Sequence, residues 1–392
     1  MLEQQLSPQS APLARPLRLL IVAPSLEMLG GQAIQASRLL NRLREEPGLE
    51  VGFLPINPRL PGGLRRFQTI KYLRTLVTSI TYVASLFCQV WKYDVVHVFS
   101  AAYFSFILSP TPAILIGRLY GKKLILNYHS GEAEDHLTRW RRLVIPIIRL
   151  VDEIAVPSSY LVEVFSKFGL SAKPISNLID MDKFCFRERH PLRSIFLSNR
   201  NFEVHYGVDR VLRAFAIIQQ RIPQAQLIIA GDGPERDALR RLARELKLRN
   251  IRFVGRVEPE RITELYDSAD VFLNGSEIDN QPLSILEAFA CGLPVVTTNA
   301  GGIAGMVHNG ITGLLVPKGA ADQLAASALR LFEDPDLARR VVSGAYQESL
   351  KYQWENLGEQ WLRLYQELGS SERALRSDAD REGVSTAHRV DT

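Results

Sequence analysis

Residues 17–44 read LRLLIVAPSLEMLGGQAIQASRLLNRLR, and their pattern decides the fold. The first seven residues, six of them apolar, form a β-rich run that stops at Pro24. Such an uninterrupted run fits a strand covered on both faces, as parallel sheets require. After Gly30-Gly31, apolar residues recur at helical spacing through Ile34, Leu39, Leu40 and Leu43. A strand, a glycine turn and a helix open a doubly wound α/β unit.

The alternation continues outward. Strand-like runs at residues 51–54, 95–99, 124–127 and 153–156 are mostly separated by helical stretches. A second set begins near residue 194. Its strands are expected at 194–198, 226–230, 251–254, 271–274, 294–297 and 313–316, with helices at 208–221, 234–246, 259–268, 282–290 and 321–332. Two sets predict two Rossmann-like, doubly wound parallel-sheet domains whose strand ends face a central cleft. The expected division is a disordered lead-in over 1–16, an N-terminal domain over 17–188 and a C-terminal domain over 189–351. A final amphipathic helix over 352–368 is expected to pack back towards the first domain, ahead of a disordered tail over 369–392.

With 392 residues, 46% hydrophobic and 23% charged, the chain suits a globular protein with sizeable cores, and excludes collagen, a coiled coil or wholesale disorder. Its net charge of +5 is uneven: residues 1–185 hold 21 Lys and Arg against 14 Asp and Glu, and the remainder 26 against 28. A basic first half suits an anionic partner on that side. Cys88, Cys185 and Cys291 are odd in number and widely spaced, which argues against disulfides or zinc and for a reducing compartment. The N-terminus lacks the apolar core of a signal peptide. Residues 76–91 (LVTSITYVASLFCQVW) are apolar but short and dotted with Ser, Thr and Gln, so a buried or interfacial helix is expected rather than a membrane span.

Chemistry concentrates in residues 276–302, SEIDNQPLSILEAFACGLPVVTTNAGG. Asp279 and Asn280 lie in the loop after a strand, and Pro282 suits the first turn of a helix. The free N–H groups near Leu283 and Ser284, with the helix dipole, make an anion site. Glu287, eight residues after Asp279, offers a second carboxylate for sugar hydroxyls. Read singly, Asp279 also fits a helix cap and Glu287 a surface acid.

The stretch from 231 to 317 carries GDGPERDALRRLA, then FVGRV, then ADVFLNGSEIDNQPLSILEAFACGLPVVTTNAGGIAGMVHNGITGLLVP. It resembles the retaining glycosyltransferases of family 4 (glycosyl transferases group 1), which have the α/β GT-B fold of two facing Rossmann-like domains. The resemblance implies that Glu287 binds the nucleotide ribose. It implies that Asp279, a methylene shorter than the usual Glu, contacts the donor sugar, with Glu277 two residues too early to be the aligned acid. Leu283 and Ser284 match positions whose N–H groups approach the diphosphate, beside Asn280. In SNRNFEVHYGVD, residues 198–209, Arg200 matches an Arg that grips the departing diphosphate, while the family's Lys falls on His205 or Tyr206. Gly30 and Gly31 resemble the glycine-rich loop after the first strand. His129, in LNYHSGEAEDHL, resembles the His that points at the donor sugar across the cleft, and Glu132, Glu134, Asp135 and His136 crowd its loop. His97 reads as a structural strand-end residue. Ser158 and Asn177 resemble cleft-lining positions.

The implied reaction moves a sugar from a UDP-, GDP- or ADP-linked donor to a sugar or lipid-linked acceptor, in polysaccharide or glycolipid assembly, with no metal and no cofactor. The acceptor side is the N-terminal domain, the nucleotide-sugar side the C-terminal one. A cytoplasmic protein is expected, peripheral at the inner face of the membrane through its N-terminal domain, with no nucleic-acid partner because no recognition motif accompanies the basic residues. Two alternatives stay open: a nucleotide-sugar epimerase or hydrolase on the same fold, and a degenerate, non-catalytic nucleotide-binding protein.

Overall fold

The computed structural model describes residues 15–28, 30–59, 71–100 and 102–387. Most of the lead-in read over 1–16 lies outside them, as do Leu29, Arg65 and Arg66. The first sheet contains β1 (Leu17–Ala23), β2 (Leu49–Pro55), β3 (Val95–Ser100), β4 (Lys123–Tyr128), β5 (Glu153–Val156) and β6 (Lys173–Pro174). They run parallel in the order β2-β1-β3-β4-β5-β6. Its helices are α1 (Gly31–Glu45), α2 (Lys71–Gln89), α3 (Phe104–Leu108), α4 (Pro110–Leu119), α5 (Ala133–Arg139), α6 (Arg141–Ile148) and α7 (Ser159–Ser166).

The alternation of β1 explains why it reads as continuously apolar. Leu20 and Val22 join Tyr82, Leu86 and Val90 of the α2 segment and Ile114 of α4 in one core. Leu19, Ile21 and Ala23 join Leu39 and Leu43 of α1 in the other. Each face of the strand meets its own layer of helices. The two-residue β6 is too short and polar to leave a pattern in sequence.

The second sheet contains β7 (Ile195–Asn199), β8 (Gln226–Ala230), β9 (Ile251–Gly255), β10 (Val271–Asn274), β11 (Val295–Thr298) and β12 (Leu314–Val316), parallel in the order β12-β11-β10-β7-β8-β9. Its helices are α8 (Val208–Arg221), α9 (Arg236–Glu245), α10 (Ile262–Asp267), α11 (Leu283–Ala290), α12 (Ala321–Glu333) and α13 (Pro335–Leu350). Strand order reverses between β1 and β3 in the first sheet and between β7 and β10 in the second. Crevices at such switch points, beyond the carboxyl ends of the strands, are where doubly wound sheets bind ligands.

Two features of the connections were not apparent from sequence. Residues 187–193, which straddle the expected boundary between 188 and 189, are tied to the second sheet by Asp270. This fully buried carboxylate accepts from Arg187 Nη2 at 3.0 Å and Arg193 Nη2 at 2.8 Å and lies 3.7 Å from Arg189 Nε. Burial, with Arg187 adding to it, pulls the Arg189 pKa down to about 10. The crossing between domains therefore falls earlier, where the Ile179 N–H donates to the Tyr352 carbonyl at 2.9 Å.

The final helix also departs from expectation. α14 runs from Trp354 to Ala387, so helix replaces most of the disorder expected over 369–392. Trp361, Leu364, Tyr365 and Leu368 pack on the first sheet. Gly369 does not end the helix, because its missing side chain lets the backbone close on Leu17: a Cβ there would fall 2.5 Å from Leu17 Cδ1. The residues that follow, SSERALRSDADRE, are mostly good helix formers.

Candidate functional site

The site assembles at the β7/β10 switch point. The loop after β7 carries Arg200, and the loop after β10 carries residues 275–282 into α11. Gly207, at φ 58° in the left-handed region, lets these loops touch, because a Cβ would fall 1.8 Å from the Gly275 carbonyl oxygen. Extended Pro282 caps α11, leaving Leu283 and Ser284 in its first turn. Their N–H groups have no acceptor within the helix and add the positive dipole end to the cleft.

Asp279 and Arg200 form one buried pair. Arg200 Nη2 donates to Asp279 Oδ2, and Nη1 donates to Ser284 Oγ at 3.2 Å. The Tyr206 ring lies 4.1 Å beneath the guanidinium. Asp279 also accepts from Ser276 Oγ at 3.1 Å and from the Asn280 N–H at 2.9 Å. His205 joins the two loops through its backbone, its carbonyl accepting from the Glu277 N–H at 2.8 Å, while its ring lies 4.2 Å from that of Tyr206. Glu277 itself pairs with Arg210 at 3.3 Å. The sequence left His205 and Tyr206 as alternatives for the lost Lys, and the structure sets Tyr206 against Arg200.

Glu287 forms the second pair, and its partner comes from the other domain. Glu287 Oε1 accepts from Arg38 Nη2 of α1 at 2.9 Å, and Oε2 accepts from the Tyr266 hydroxyl at 3.0 Å. All three side chains are buried. Burial, then the Glu287 charge, raises the Tyr266 hydroxyl well above its ordinary pKa, so it stays a donor. Arg38 Nη1 and Gln35 Nε2 both donate to the Leu178 carbonyl, at 3.1 and 2.7 Å. Sequence reasoning missed Arg38 and Tyr266. The available signal was a polar pair, Gln35 and Arg38, on the otherwise apolar face of α1.

The first domain supplies the opposite wall. A Cβ at Gly31 would lie 4.0 Å from Leu283 Cδ1, so the Gly30-Gly31 turn faces the start of α11. Gly131 packs its backbone on Asp279, where a Cβ would fall 3.1 Å from the Asp279 carbonyl carbon. This brings the His129 loop to the same place. His129 stacks on Phe99 with centroids 5.3 Å apart, and burial lowers its pKa to about 4, so the ring is neutral at pH 7. The Ser158 hydroxyl donates to Asn280 Oδ1, and Asn177 Nδ2 donates to the Gln281 carbonyl at 2.9 Å. His129 Nε2, Arg200 Nε and Asn280 Nδ2 are buried without a protein partner, three polar atoms around one cleft. His97, by contrast, bonds Tyr365 at 2.8 Å inside the first domain's core. Of the crowded acids, Asp135 accepts from the Tyr103 hydroxyl at 2.6 Å and Glu134 pairs with Lys167, which leaves both away from the cleft network.

Two parallel doubly wound sheets, with an acid-bearing helix start at one switch point and a glycine turn facing it from the other, define the GT-B fold. Residues 184–348 match the family of glycosyl transferases group 1. Sulfoquinovosyl transferase SQD2 of Arabidopsis thaliana is 27% identical over 287 residues, covering 67% of this chain and 54% of that protein. The chain thus spans about half the length of that relative. Glycogen synthase of Mycobacterium tuberculosis is 28% identical over 291 residues, covering 70% of this chain and 69% of the relative. Among solved structures, sucrose-phosphate synthase from Thermosynechococcus elongatus superposes with a TM-score of 0.70 at 20% identity, over 91% of this chain and 100% of the other. Anabaena HepE in complex with UDP and glucose superposes with a TM-score of 0.68 at 19% identity, over 89% of this chain and 99% of the other.

Proposed function

We propose that the protein is a retaining glycosyltransferase, moving a sugar from a nucleoside-diphosphate donor to an acceptor hydroxyl in polysaccharide or glycolipid assembly. The observation that carries this reading is the convergence of Arg200, Asp279, Ser284 and Glu287 at one switch point, opposite Gly30-Gly31. In this reading Glu287 receives ribose hydroxyls, while Leu283, Ser284 and Arg200 hold the diphosphate. Asp279, Asn280 and neutral His129 meet the sugar, and His205 lies beside it. The bond from the sugar C1 to the diphosphate oxygen breaks, and a bond from C1 to the acceptor oxygen forms on the same face. The acceptor proton passes to the departing diphosphate oxygen. The protein's part is positioning and stabilisation of the charge that develops there.

The basic N-terminal domain takes the acceptor, a sugar or a lipid-linked one, and sits peripherally at the inner face of the membrane. Three free cysteines and the charge split support that cytoplasmic placement. Thermal shifts with UDP, GDP and ADP sugars identify the donor. With that donor, Glu287→Ala lowers kcat/KM by roughly 10- to 100-fold, the loss of one or two charged hydrogen bonds. Full transfer by this variant overturns the assignment, and donor turnover without acceptor assigns an epimerase or hydrolase instead.

A further inference from the structure

The first domain covers its sheet with two unlike helical layers. On one side α2 continues through a 3-10 turn, Val90–Lys92, and turns Tyr82, Leu86 and Val90 into the core. Its exposed side carries Leu76, Ile80, Phe87 and Trp91, spaced by four, seven and four residues along one stripe and 43% to 60% exposed. The outer edge of α4 continues the stripe. Phe87 and Tyr120 meet edge to face at 6.4 Å, the Tyr120 hydroxyl donates to the Phe87 carbonyl at 3.2 Å, and the adjacent Leu119 is 70% exposed. An apolar face of this extent on a water-soluble domain marks an interaction surface.

Its charge indicates which kind. From residue 51 to residue 131 the sequence contains a single carboxylate, Asp94. Asp94 is buried and paired with Arg18 at 2.9 Å, so it adds no negative charge to the surface. Arg74 and Lys92 flank the stripe and are exposed, and Lys92 Nζ lies 5.7 Å from the Trp91 ring. Protein interfaces bury aromatic residues but deplete Lys, and they pair charges across the contact. Aliphatic and aromatic side chains bordered by Lys and Arg, with no acid, match the interface of an anionic bilayer. The segment Leu73–Lys92 is long and apolar enough to span a membrane. Spanning would, however, strip Tyr82, Leu86 and Val90 from the core and break the bond from the Tyr82 hydroxyl to the Ser109 carbonyl at 3.0 Å.

We infer that the outer face of α2 and α4 is a membrane-docking surface, with α2 lying in the plane of an anionic lipid interface. This names the partner of the acceptor-side domain and rests on the reading of a peripheral membrane contact given above. Lipid binding is measured without donor or acceptor, so its outcome is independent of glycosyl transfer.

The test is co-sedimentation of the full chain with phosphatidylcholine vesicles, with and without phosphatidylglycerol. The wild type is expected to bind the anionic vesicles, more weakly as salt rises, with a blue shift of fluorescence that Trp91→Phe removes. Ile80→Glu with Phe87→Glu, both at exposed positions, is expected to lose binding. Arg74→Glu with Lys92→Glu leaves every apolar contact in place, so it tests the charge separately. It is expected to weaken binding about tenfold or more. Failure of the wild type to bind anionic vesicles, or equal binding by the first variant, overturns the inference. So does a concentration-dependent dimer of the wild type that the same substitutions dissociate in the absence of lipid binding, which would give the face to a second copy.

Discussion

Asp279 and Glu287 leave one loop–helix junction eight residues apart, yet different domains hold them. The arginine on Asp279 comes from the end of β7 in the same domain, whereas the arginine on Glu287 reaches over from α1. The first pair is complete within the C-terminal domain. The second exists only while the two domains are apposed, and it is fastened to the crossing segment through Leu178. In the proposed reaction this divides the donor site: its diphosphate end is preformed, and its ribose end reports whether the cleft is closed.

Removing Arg38 breaks the comparison most severely. Arg38→Met leaves Glu287 buried with only Tyr266 as partner, and stability is expected to fall by about 3–5 kcal/mol. Urea unfolding measures this, and the double variant with Glu287→Met is expected to recover most of the loss. An unchanged midpoint in the single variant would show that the pair across the cleft contributes nothing. Next comes Arg200→Ala, expected to lower kcat by about 10²–10³ through loss of charge stabilisation. Steady-state kinetics with Arg200→Lys should restore part of it, while undiminished kcat in the alanine variant would place the stabilising charge elsewhere.

The smallest effect per residue sharpens the contrast between the domains themselves. Burial lowers His97 to about pH 3 and both His129 and His136 to about pH 4, and all three belong to the first domain. The unfolded chain takes up these protons near its ordinary value of about 6.5, before the folded chain does. Stability is therefore expected to be constant well above that value and to fall as pH drops from 6.5 towards 4, by about 2 kcal/mol per histidine at pH 5. Hydrogen exchange at pH 5 against pH 7 should show protection lost first in β1, β3 and β4. Equal loss in β7 and β10 would count against the histidines as the cause.

The parts of the fold legible in sequence were those with a period. Eleven of the twelve strands have lengths and apolar content that alternate clearly with helices, and the paired acids before and within α11 carried the site. What escaped notice has no period. A two-residue strand such as β6 leaves no pattern. Asp270, an acid opening a strand, gives no hint that Arg187, Arg189 and Arg193 converge on it. Arg38 sits 249 residues from Glu287, and only tertiary placement brings them together. The tail was misread because charge density suggests solvation in either state, helix or coil, and Gly369 looked like a stop where it is a close contact.

The bond between Ile179 and Tyr352 has a mechanical meaning. The chain passes from one domain to the other once on the way out and once on return, and at these two passages the backbones are joined. A single tether allows one body to swing and spin freely on the other. Two passages fastened side by side act as a pin, which admits rotation about one line and resists twist. Downstream, the Asp270 knot clamps residues 187–193 to their own domain, so bending has little length of chain in which to occur. Any opening of the cleft is thus a swing about a short axle, and Arg38, carried on the moving side, parts from Glu287 along a set arc.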